Sequence, residues 1–426
     1  PVVRPVPTGL AHCFESMLKT MSDAWIIDAC RTPRGIGKRG KGALAHLHPQ
    51  HLGATVLAAL AQRTDIDTAE VDDIVWGTSA QVREQSGDLG RMAALDAGWD
   101  TAASGVTLDR FCGSGITAAN IASNMVMSGM EDLVVAGGTE MMSLPMKGML
   151  PIGANNEHLQ DLHPQPHQGV CADAIATIEG IGRDALDAHA VESQRRASVA
   201  IEQGRFDRSL VAVHNLDGTI ALDHEEFPRP GTSLDSLAKL PPSFEAVADY
   251  RHEDNPTYRE LVARKFPDLN IQHVHHAGNS SGVVDGAAAI LMAGDDKARA
   301  NGLAPRARVV ATATVGDDPT LMLNAPVPAA QKVLGRAGMT LDDIDLFEVN
   351  EAFAVVSEKF QRDLDLDRDK VNVNGGAMAL GHPIGATGAI LIGTVLDELE
   401  RQDKQVGLIT MCAGGGMAPA IIIERV

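Results

Sequence analysis

Apolar and polar positions along the chain alternate between short runs rich in β-branched residues and longer runs rich in alanine. The short runs have the length of buried strands, and the longer runs have the length of helices. This alternation is typical of an α/β protein, in which helices cover the faces of a sheet. In the first part of the chain it predicts strands at 25–27, 74–76, 105–109 and 133–136, and helices at 51–62, 86–97 and 114–128.

The second half of the chain repeats the first. Residues 70–76 (EVDDIVW) are echoed by residues 340–347 (TLDDIDLF), and each segment reads as a helix cap followed by a strand. A longer match relates residues 106–138 to residues 371–416, where a turn leads into a helix of small residues and then into a strand. Coincidence between two ordinary βαβ units is the alternative, but the order matches over several elements. The repeat predicts two similar halves with a site where corresponding loops meet.

Residues 144–272 differ in composition from both halves, because they are rich in proline, histidine and charged residues. Only two helices are clear in this segment, at 183–203 and 256–265. The 114–128 helix, which precedes the segment, has almost no large side chains, and this predicts its complete burial. A structureless loop of this length is rare in a compact domain, so we expect an inserted lid over a ligand. The predicted division is an extension outside the fold (1–21), a first half (22–143 with 273–295), the lid (144–272) and a second half (304–426).

Composition narrows the function classes. Hydrophobic residues make up 44% and charged residues 22% of the chain, as in ordinary globular proteins. The net charge of -20, without a basic block, argues against nucleic-acid binding. No apolar run approaches the roughly 20 residues of a membrane span. The five scattered cysteines contain no CxxC pair, which argues against a zinc site or a disulfide framework and favours a reducing, cytoplasmic location.

The motif FCGSG places Cys112 between a predicted strand and the helix of small residues. The free N–H groups and the dipole at a helix N-terminus stabilise negative charge, so we expect a lowered thiol pKa and a reactive thiolate. A buried, inert cysteine is the alternative, because most cysteines in α/β proteins are of that kind. This motif alone does not decide between the two.

Three further motifs carry groups that complement a thiol. His382 lies on the glycine-rich turn GHPIGATG, and an imidazole is the natural base for activating a thiol. Cys412 begins the open segment CAGGG, whose N–H groups are free to face an oxyanion, although a plain glycine turn is the alternative. Asn350 follows a predicted strand, a usual place for an active-site amide in an α/β fold.

The motifs FCGSG, NEAFA, GHPIGATG and CAGGG, in this order, resemble the catalytic motifs of the thiolase family, and the resemblance extends from about residue 25 to residue 426. HHAGNSSGVVDGAA, at 275–288, is similar to the family's coenzyme A segment. The resemblance implies two repeated βαβαβαββ halves in a five-layer αβαβα arrangement with an inserted loop domain.

Roles follow from the resemblance residue by residue. Cys112 matches the nucleophile that carries the acyl group, and His382 matches the base that deprotonates it. Cys412 matches the acid/base that exchanges a proton with the α-carbon of acetyl-CoA. Asn350 matches the residue that holds a water, which stabilises the enolate oxygen together with His382. The N–H groups of Cys112 and Gly414 match a second oxyanion hole.

The resemblance also implies how substrate binds. Coenzyme A and acyl-CoA act as substrates, with no permanently bound cofactor and no metal. Asp109 and Gln168 depart from the family pattern, which often has Asn and Met there, but neither change removes a catalytic group. A homodimer or homotetramer is implied, and a hydratase/dehydrogenase subunit is a further expected partner in fatty-acid β-oxidation. The implied coenzyme A contacts and apolar lining positions are Ser281, Ala277, His167, Met322 and Phe353.

The expected function is thiolytic cleavage of a 3-ketoacyl-CoA, or the reverse Claisen condensation, through acyl-Cys112. A decarboxylating ketoacyl synthase shares the two-half architecture, but those enzymes use a second histidine, or a histidine and an asparagine, and lack the second cysteine that this chain has in Cys412. A non-catalytic acyl-CoA or lipid-binding relative is the remaining alternative. Retention of Cys112, Asn350, His382 and Cys412 argues against that alternative.

Overall fold

The computed structural model describes residues 22–144, 152, 156–251 and 255–426, so the predicted extension at 1–21 lies outside the described residues. The strands are β1 (Trp25–Arg31), β2 (Gly35–Ile36), β3 (Asp73–Gly77), β4 (Val106–Leu108), β5 (Leu133–Met141), β6 (Val213–His214), β7 (Ile220–Leu222), β8 (Val284–Ala293), β9 (Ala307–Gly316), β10 (Leu346–Val349), β11 (Val406–Thr410) and β12 (Met417–Arg425). The helices are α1 (Pro49–Thr64), α2 (Leu89–Asp96), α3 (Ser114–Ser128), α4 (Glu157–Leu162), α5 (Gln168–Ile178), α6 (Arg183–Glu202), α7 (Leu234–Leu237), α8 (Glu245–Ala248), α9 (Tyr258–Lys265), α10 (Asp295–Ala300), α11 (Pro326–Ala337), α12 (Ala354–Asp363), α13 (Ala377–Leu380) and α14 (Ile384–Gln402).

The main sheet joins the two halves of the chain. Its strand order is β10-β11-β12-β9-β1-β8-β5-β3-β4, and β2 adds to β8. The halves meet where β1 pairs antiparallel with β9, through Trp25 opposite Arg308 and Ile26 opposite Ala307. In each half, a parallel pair (β3 with β5, β10 with β11) continues into an antiparallel strand.

Helices form layers on both sides of the two half-sheets. α3 and α14 pack against each other and contact strands of both halves, so they form the central layer. α1 and α2 cover β1, β3, β5 and β8 from outside, and α11 covers β9, β11 and β12. The five-layer αβαβα arrangement expected from the resemblance is confirmed.

The central helices approach closely because glycines face each other. A Cβ atom on Gly388 of α14 would lie 2.0 Å from the backbone nitrogen of Ile116, and one on Gly115 of α3 would lie 2.8 Å from the nitrogen of Gly388. No real side chain tolerates such distances, so the small residues in both motifs are required by backbone packing. This contact places the N-terminal ends of the two helices side by side.

The internal repeat is visible as a matched turn in each half. Asp72 Oδ2 accepts from the N–H of Leu133 at 2.8 Å, and Asp345 Oδ2 accepts from the N–H of Val406 at 2.9 Å. Each aspartate thus joins the start of a strand to its parallel neighbour. The structural equivalent of Asp72 is therefore Asp345, whereas the sequence match had aligned it with Asp342.

Several element boundaries differ from the prediction. α14 begins at Ile384 rather than 388, directly after Pro383, because a proline ring is compatible with a helix start. α2 begins at Leu89 rather than 86. In the second half, the counterpart of β4 is only an isolated bridge between Phe347 and Val371. Complete burial of α3 is also wrong, since Ile121 is 40% exposed.

The predicted lid segment contains more helices than its sequence indicated. Besides α6 and α9, it holds α4, α5, α7 and α8 and the small β6-β7 ribbon. α5 was missed because its residues from Gly169 to Ala176 are buried on all sides, which removes the polar face that marks an amphipathic helix. α9 was recognisable from the Thr257 capping box, in which a carboxylate oxygen of Glu260 accepts from the Thr257 N–H at 2.7 Å.

Candidate active site

A cavity of about 210 Å³ lies where the two central helices begin. Among the residues singled out from sequence, its walls include Cys112, Ser281, Met322, Phe353, His382, Cys412 and Gly414. Further wall residues include Met142, Gln168, Phe244, Ser280, Leu323 and Ile384. Asn350 lies behind His382 and contacts it. Ala277 is exposed outside this cavity, and His167 lies behind Phe244.

A strained turn presents Cys112 at the start of α3. Phe111, directly before it, has a positive φ of 50°, a conformation that costs energy for a bulky residue. Asp109 Oδ1 accepts from the Phe111 N–H at 2.6 Å. Ser114 Oγ accepts from the Arg110 N–H at 2.8 Å and donates to the Phe111 carbonyl at 2.7 Å. These bonds hold the turn that carries Cys112 in place.

The expected lowering of the Cys112 pKa is wrong for the resting structure. Burial raises the pKa of the Cys112 thiol to about 12, and the charges of Glu140 and Asp109 act in the same direction. Burial and proximity to Cys112 also raise the pKa of Cys412. The helix N-terminus alone therefore does not produce a thiolate, and each sulfur needs a partner that takes its proton.

Hydrogen bonding fixes the tautomer of His382. Its Nδ1 lies 2.6 Å from Thr387 Oγ1, and that hydroxyl donates to the Pro383 carbonyl at 3.1 Å. Because the hydroxyl proton is already used, Thr387 accepts from Nδ1–H. Nε2 therefore carries the lone pair, and it faces Asn350 Nδ2 at 3.4 Å. In this tautomer Nε2 is the nitrogen that can accept a proton.

The environment of His382 keeps the imidazole neutral. Its side chain is buried, and burial together with the positive charge of Arg34 lowers the pKa of His382 to about 4. Near neutral pH the ring is therefore available to accept a proton. The cationic form is costly there, so the ring gives up a proton readily after taking one.

Asn350 follows β10 and is held by its backbone. Its N–H donates to the Thr410 carbonyl at 3.2 Å, which ties the end of β10 to the end of β11. The side-chain nitrogen faces His382, while Oδ1 is buried and has no hydrogen-bond partner within the described parts of the chain. An unpartnered buried acceptor beside a neutral imidazole is available to a water or substrate group.

Glycines after Cys412 form a tight loop against the Cys112 turn. Ala413 and Met417 exchange backbone bonds at 2.7 and 3.2 Å, which closes the loop. A Cβ atom on Gly414 would lie 2.9 Å from Phe111 Cγ, so only glycine fits there. Gly415 has a φ of +73°, which favours glycine as well. The loop brings Cys412 and Gly414 into the cavity from the second half, facing Cys112 from the first.

The 275–288 segment is anchored to both the lid and the second half. Asp173 of α5 accepts from His273 Nδ1 at 2.7 Å and from His275 Nδ1 at 2.8 Å. The Ser281 N–H donates to the Ala352 carbonyl at 2.9 Å. These bonds place Ser281 at the cavity wall.

His167 has an indirect position at the site. It caps α5, because its Nδ1 accepts from the Gly169 N–H at 3.1 Å. Its ring lies 5.7 Å from the rings of both Phe244 and Tyr258. Phe244 lines the cavity, so His167 supports the wall from behind.

Sequence reasoning missed residues that act through neighbours. Thr387 lies within the GHPIGATG motif, and its spacing of five from His382 was the available signal. Glu140 ends a buried strand, and a charged residue in such a strand was the signal there. Phe244 had no signal, because only the folded lid brings it to the cavity.

Two classes of feature are absent from the described ranges. In residues 22–144, 152, 156–251 and 255–426, no three His, Cys, Asp or Glu residues are grouped so that they could hold a metal ion. Over the same ranges, no helix is both long enough and apolar enough to cross a membrane.

Comparison with known proteins matches both halves of the chain. The profile of the thiolase N-terminal domain covers residues 24–248, and that of the thiolase C-terminal domain covers residues 303–425. The chain belongs to the thiolase family. This thiolase is 38% identical to the steroid 3-ketoacyl-CoA thiolase FadA6 of Mycobacterium tuberculosis, over 95% of each chain.

Another relative and a solved structure support the same family membership. A 3-ketoacyl-CoA thiolase of Aeromonas hydrophila is 37% identical over 95% of this chain and 100% of its own length. The crystal structure of the Bacillus anthracis acetyl-CoA acetyltransferase matches this thiolase with a TM-score of 0.81 and 31% identity. That match covers 95% of this chain and 99% of the other, so the fold is shared over both halves.

Proposed function

We propose that this thiolase is an acyltransferase that cleaves 3-ketoacyl-CoA with coenzyme A, or runs the reverse condensation, through an acyl group on Cys112. The observation that carries the proposal is that Cys112 and Cys412, from opposite halves, line the same cavity as His382. The names of the relatives support the same reaction class.

In the first half-reaction, His382 Nε2 takes the Cys112 proton and the sulfur attacks the 3-keto carbonyl carbon. The bond between the α- and β-carbons then breaks, and its electron pair passes to the α-carbon of the departing acetyl-CoA. Cys412 gives its proton to that carbon. The products are acyl-Cys112 and acetyl-CoA.

In the second half-reaction, the thiol of a new coenzyme A attacks the acyl-Cys112 carbonyl. Its proton goes to the Cys412 sulfur, and the Cys112 sulfur leaves and recovers the proton held on His382. Because burial raises both thiol pKa values, each sulfur is a thiol at rest and ionises only when a partner takes its proton.

Both steps pass through oxyanions, which need preorganised donors. We assign the enolate oxygen of acetyl-CoA to Asn350 and His382, through the water implied by the family resemblance. We assign the tetrahedral oxyanion on Cys112 to the N–H groups of Cys112 and Gly414. The contact between Gly414 and the Phe111 ring, which brings the two loops together, supports the second assignment.

Substrate binding and domain roles follow as parts of the same proposal. Coenzyme A and acyl-CoA are substrates, and no permanently bound cofactor is invoked. Ser281, Met322 and Phe353 line the cavity and are assigned to direct contact. Ala277 is assigned to the outer part of coenzyme A because it is exposed, and His167 to support of Phe244. Residues 144–272 are assigned to a lid inserted in the first half (22–143 with 273–295), and residues 304–426 to the second half.

Assembly and location belong to the same proposal. We infer a homodimer or homotetramer. Val106, within the edge strand β4, is 44% exposed and offers apolar surface for a second copy. A cytoplasmic location and a hydratase/dehydrogenase partner would suit degradation of fatty acids. Light scattering on the purified protein distinguishes monomer, dimer and tetramer.

Thiolysis kinetics test the proposal. Acetoacetyl-CoA with coenzyme A should be consumed by the wild type, and Cys112→Ala and Cys412→Ala should each lose activity by at least about a thousandfold. Cys30→Ala is the matched control, because Cys30 is a buried thiol in a different hydrophobic cluster. Full activity of the Cys112→Ala variant would refute the proposed nucleophile.

A further inference from the structure

Glu140 is a buried carboxylate that lies at the junction of the two halves, at the end of β5. Its Oε2 accepts from the Ser79 N–H and from the Gly385 N–H, both at 2.8 Å. Its Oε1 accepts from Gln85 Nε2 at 2.7 Å and from Thr78 Oγ1 at 3.3 Å. Three of these groups can only donate, so the arrangement favours the ionised carboxylate although burial raises the pKa of Glu140.

The Gly385 bond connects Glu140 to the catalytic base. Gly385 is in the first turn of α14, three residues after His382. The backbones are in contact here, since a Cβ atom on Gly138 would lie 2.2 Å from the Gly385 carbonyl oxygen. Glu140 thus fixes the start of α14, from the second half, against strand ends of the first half.

The same carboxylate acts on the nucleophile. The Gly385 carbonyl oxygen would lie 3.0 Å from a Cβ atom on Gly115, so this junction adjoins the turn after Cys112. The charge of Glu140 is the second cause, after burial, of the raised Cys112 pKa. The titratable and charged groups around Cys112 are Asp109 and Arg110 on its own turn, Glu140 on β5, His382 before α14 and Cys412 after β11.

We propose that Glu140 is a positioning residue of this site, which fixes the His382 turn against the Cys112 turn and whose negative charge acts on the Cys112 sulfur. The proposal rests on the acyl transfer proposed above.

Two measurements test the proposal in the full-length protein. The first is the rate of iodoacetamide labelling at Cys112 as a function of pH, followed by peptide mass. The second is kcat and KM for thiolysis of acetoacetyl-CoA. In Glu140→Gln we expect the midpoint of the labelling profile to move down by about one pH unit. We expect kcat to fall by about tenfold or more with little change in KM.

Three further variants separate charge from packing. Gln85→Met removes one hydrogen bond to Glu140 but leaves the charge of Glu140, and Glu140→Asp keeps the charge but draws the carboxylate back. Glu398→Gln removes another buried carboxylate, near the far end of α14, that pairs with Arg401 at 2.7 Å. All three should keep the wild-type labelling midpoint, and Glu140→Asp should still lose kcat.

The proposal can be decided even if the wild type shows no thiolysis. It is overturned if Glu140→Gln leaves both midpoint and kcat unchanged, or if Gln85→Met or Glu140→Asp lowers the midpoint as much as Glu140→Gln does. Should the wild type show no thiolysis, the proposed function fails, while the labelling midpoints still test the effect of the Glu140 charge. If Glu140→Gln does not fold, the kcat of Glu140→Asp carries the test, and a wild-type kcat in that variant overturns the positioning role.

Discussion

His382 donates from Nδ1 to Thr387 Oγ1 at 2.6 Å, so the side chain five residues later in the same motif determines which nitrogen of the base is free. The Thr387 hydroxyl is itself committed to the Pro383 carbonyl. The motif therefore contains both the base and the group that orients it, and the start of α14 holds the two in register.

Thr387→Val should lower kcat by about tenfold, because loss of one buried hydrogen bond costs roughly 1.5 kcal/mol and leaves the ring free to change tautomer. Thr387→Ser keeps the hydroxyl and should keep most of the activity. Steady-state thiolysis kinetics on both variants provide the comparison. Equal losses in the two would show that the methyl group, rather than the hydroxyl, is what matters.

His382 should make the protein less stable in acid. Its folded pKa, about 4, is below the value of 6.5 for a free histidine, so the unfolded state binds more protons between these values. The stability that this difference contributes is fully present above pH 6.5 and is lost as the pH falls. The loss reaches about 3 kcal/mol at pH 4. Urea unfolding at pH 7 and pH 4 should therefore show a smaller loss for His382→Gln than for the wild type. A parallel decline in the two proteins would contradict the depressed pKa.

Gly388→Ala should destabilise the protein strongly, by about 3 kcal/mol or more, because its Cβ would lie 2.0 Å from the Ile116 nitrogen. Gly335→Ala is the matched control in α11, where nothing lies within 4 Å of an added Cβ. That change should be neutral or stabilising by about 0.5–1 kcal/mol through helix propensity. Thermal unfolding distinguishes the two, and tolerance of Gly388→Ala would refute the close helix crossing.

Glu225 should be essential for stability. It lies 2.7 Å from Arg31 and 2.8 Å from Arg34, and all three side chains are buried. Burial opposes its charge, but the two guanidinium groups outweigh that effect and hold its pKa at about 2. Glu225→Gln leaves two buried cations without a counter-charge and should cost about 3–5 kcal/mol.

The exposed pair of Arg259 with Asp249 supplies the control for Glu225, with a distance of 2.7 Å in solvent. Asp249→Asn should cost less than about 1 kcal/mol. Denaturant unfolding of both variants gives the comparison. A similarly small loss of unfolding free energy in both variants would mean that the buried cluster of Glu225, Arg31 and Arg34 stabilises the fold no more than an exposed ion pair.

Much of the fold could be predicted because its signals are local. Strands such as β3 and β5 are short apolar runs, and the matched aspartates recur in both halves, although the register of that match came only from the bonds of Asp72 and Asp345. Helix α5 was not predictable from periodicity, because burial on all sides erases the pattern. The missing strand near Val371 was also hidden, since strand pairing depends on a distant partner.

The same distinction between local and long-range signals applies to the candidate site. Cys112, His382, Asn350 and Cys412 could be named because glycine-rich motifs mark them. The state of the thiol could not, since helix position argued for a lowered pKa while burial and Glu140 raise it. Such effects come from side chains that are far apart in sequence, and only the folded chain shows which of them prevails.

The acyl-enzyme itself provides the most direct test of the central claim. The protein should be incubated with acetoacetyl-CoA, quenched in acid, digested and analysed by peptide mass, with Cys112→Ser as the control. We predict one acetyl group on the peptide that contains Cys112 and none on the peptide that contains Cys412, and the label should disappear when coenzyme A is added before the quench. An acetyl group on Cys412 or elsewhere, or no label in an enzyme that turns over, would contradict the account.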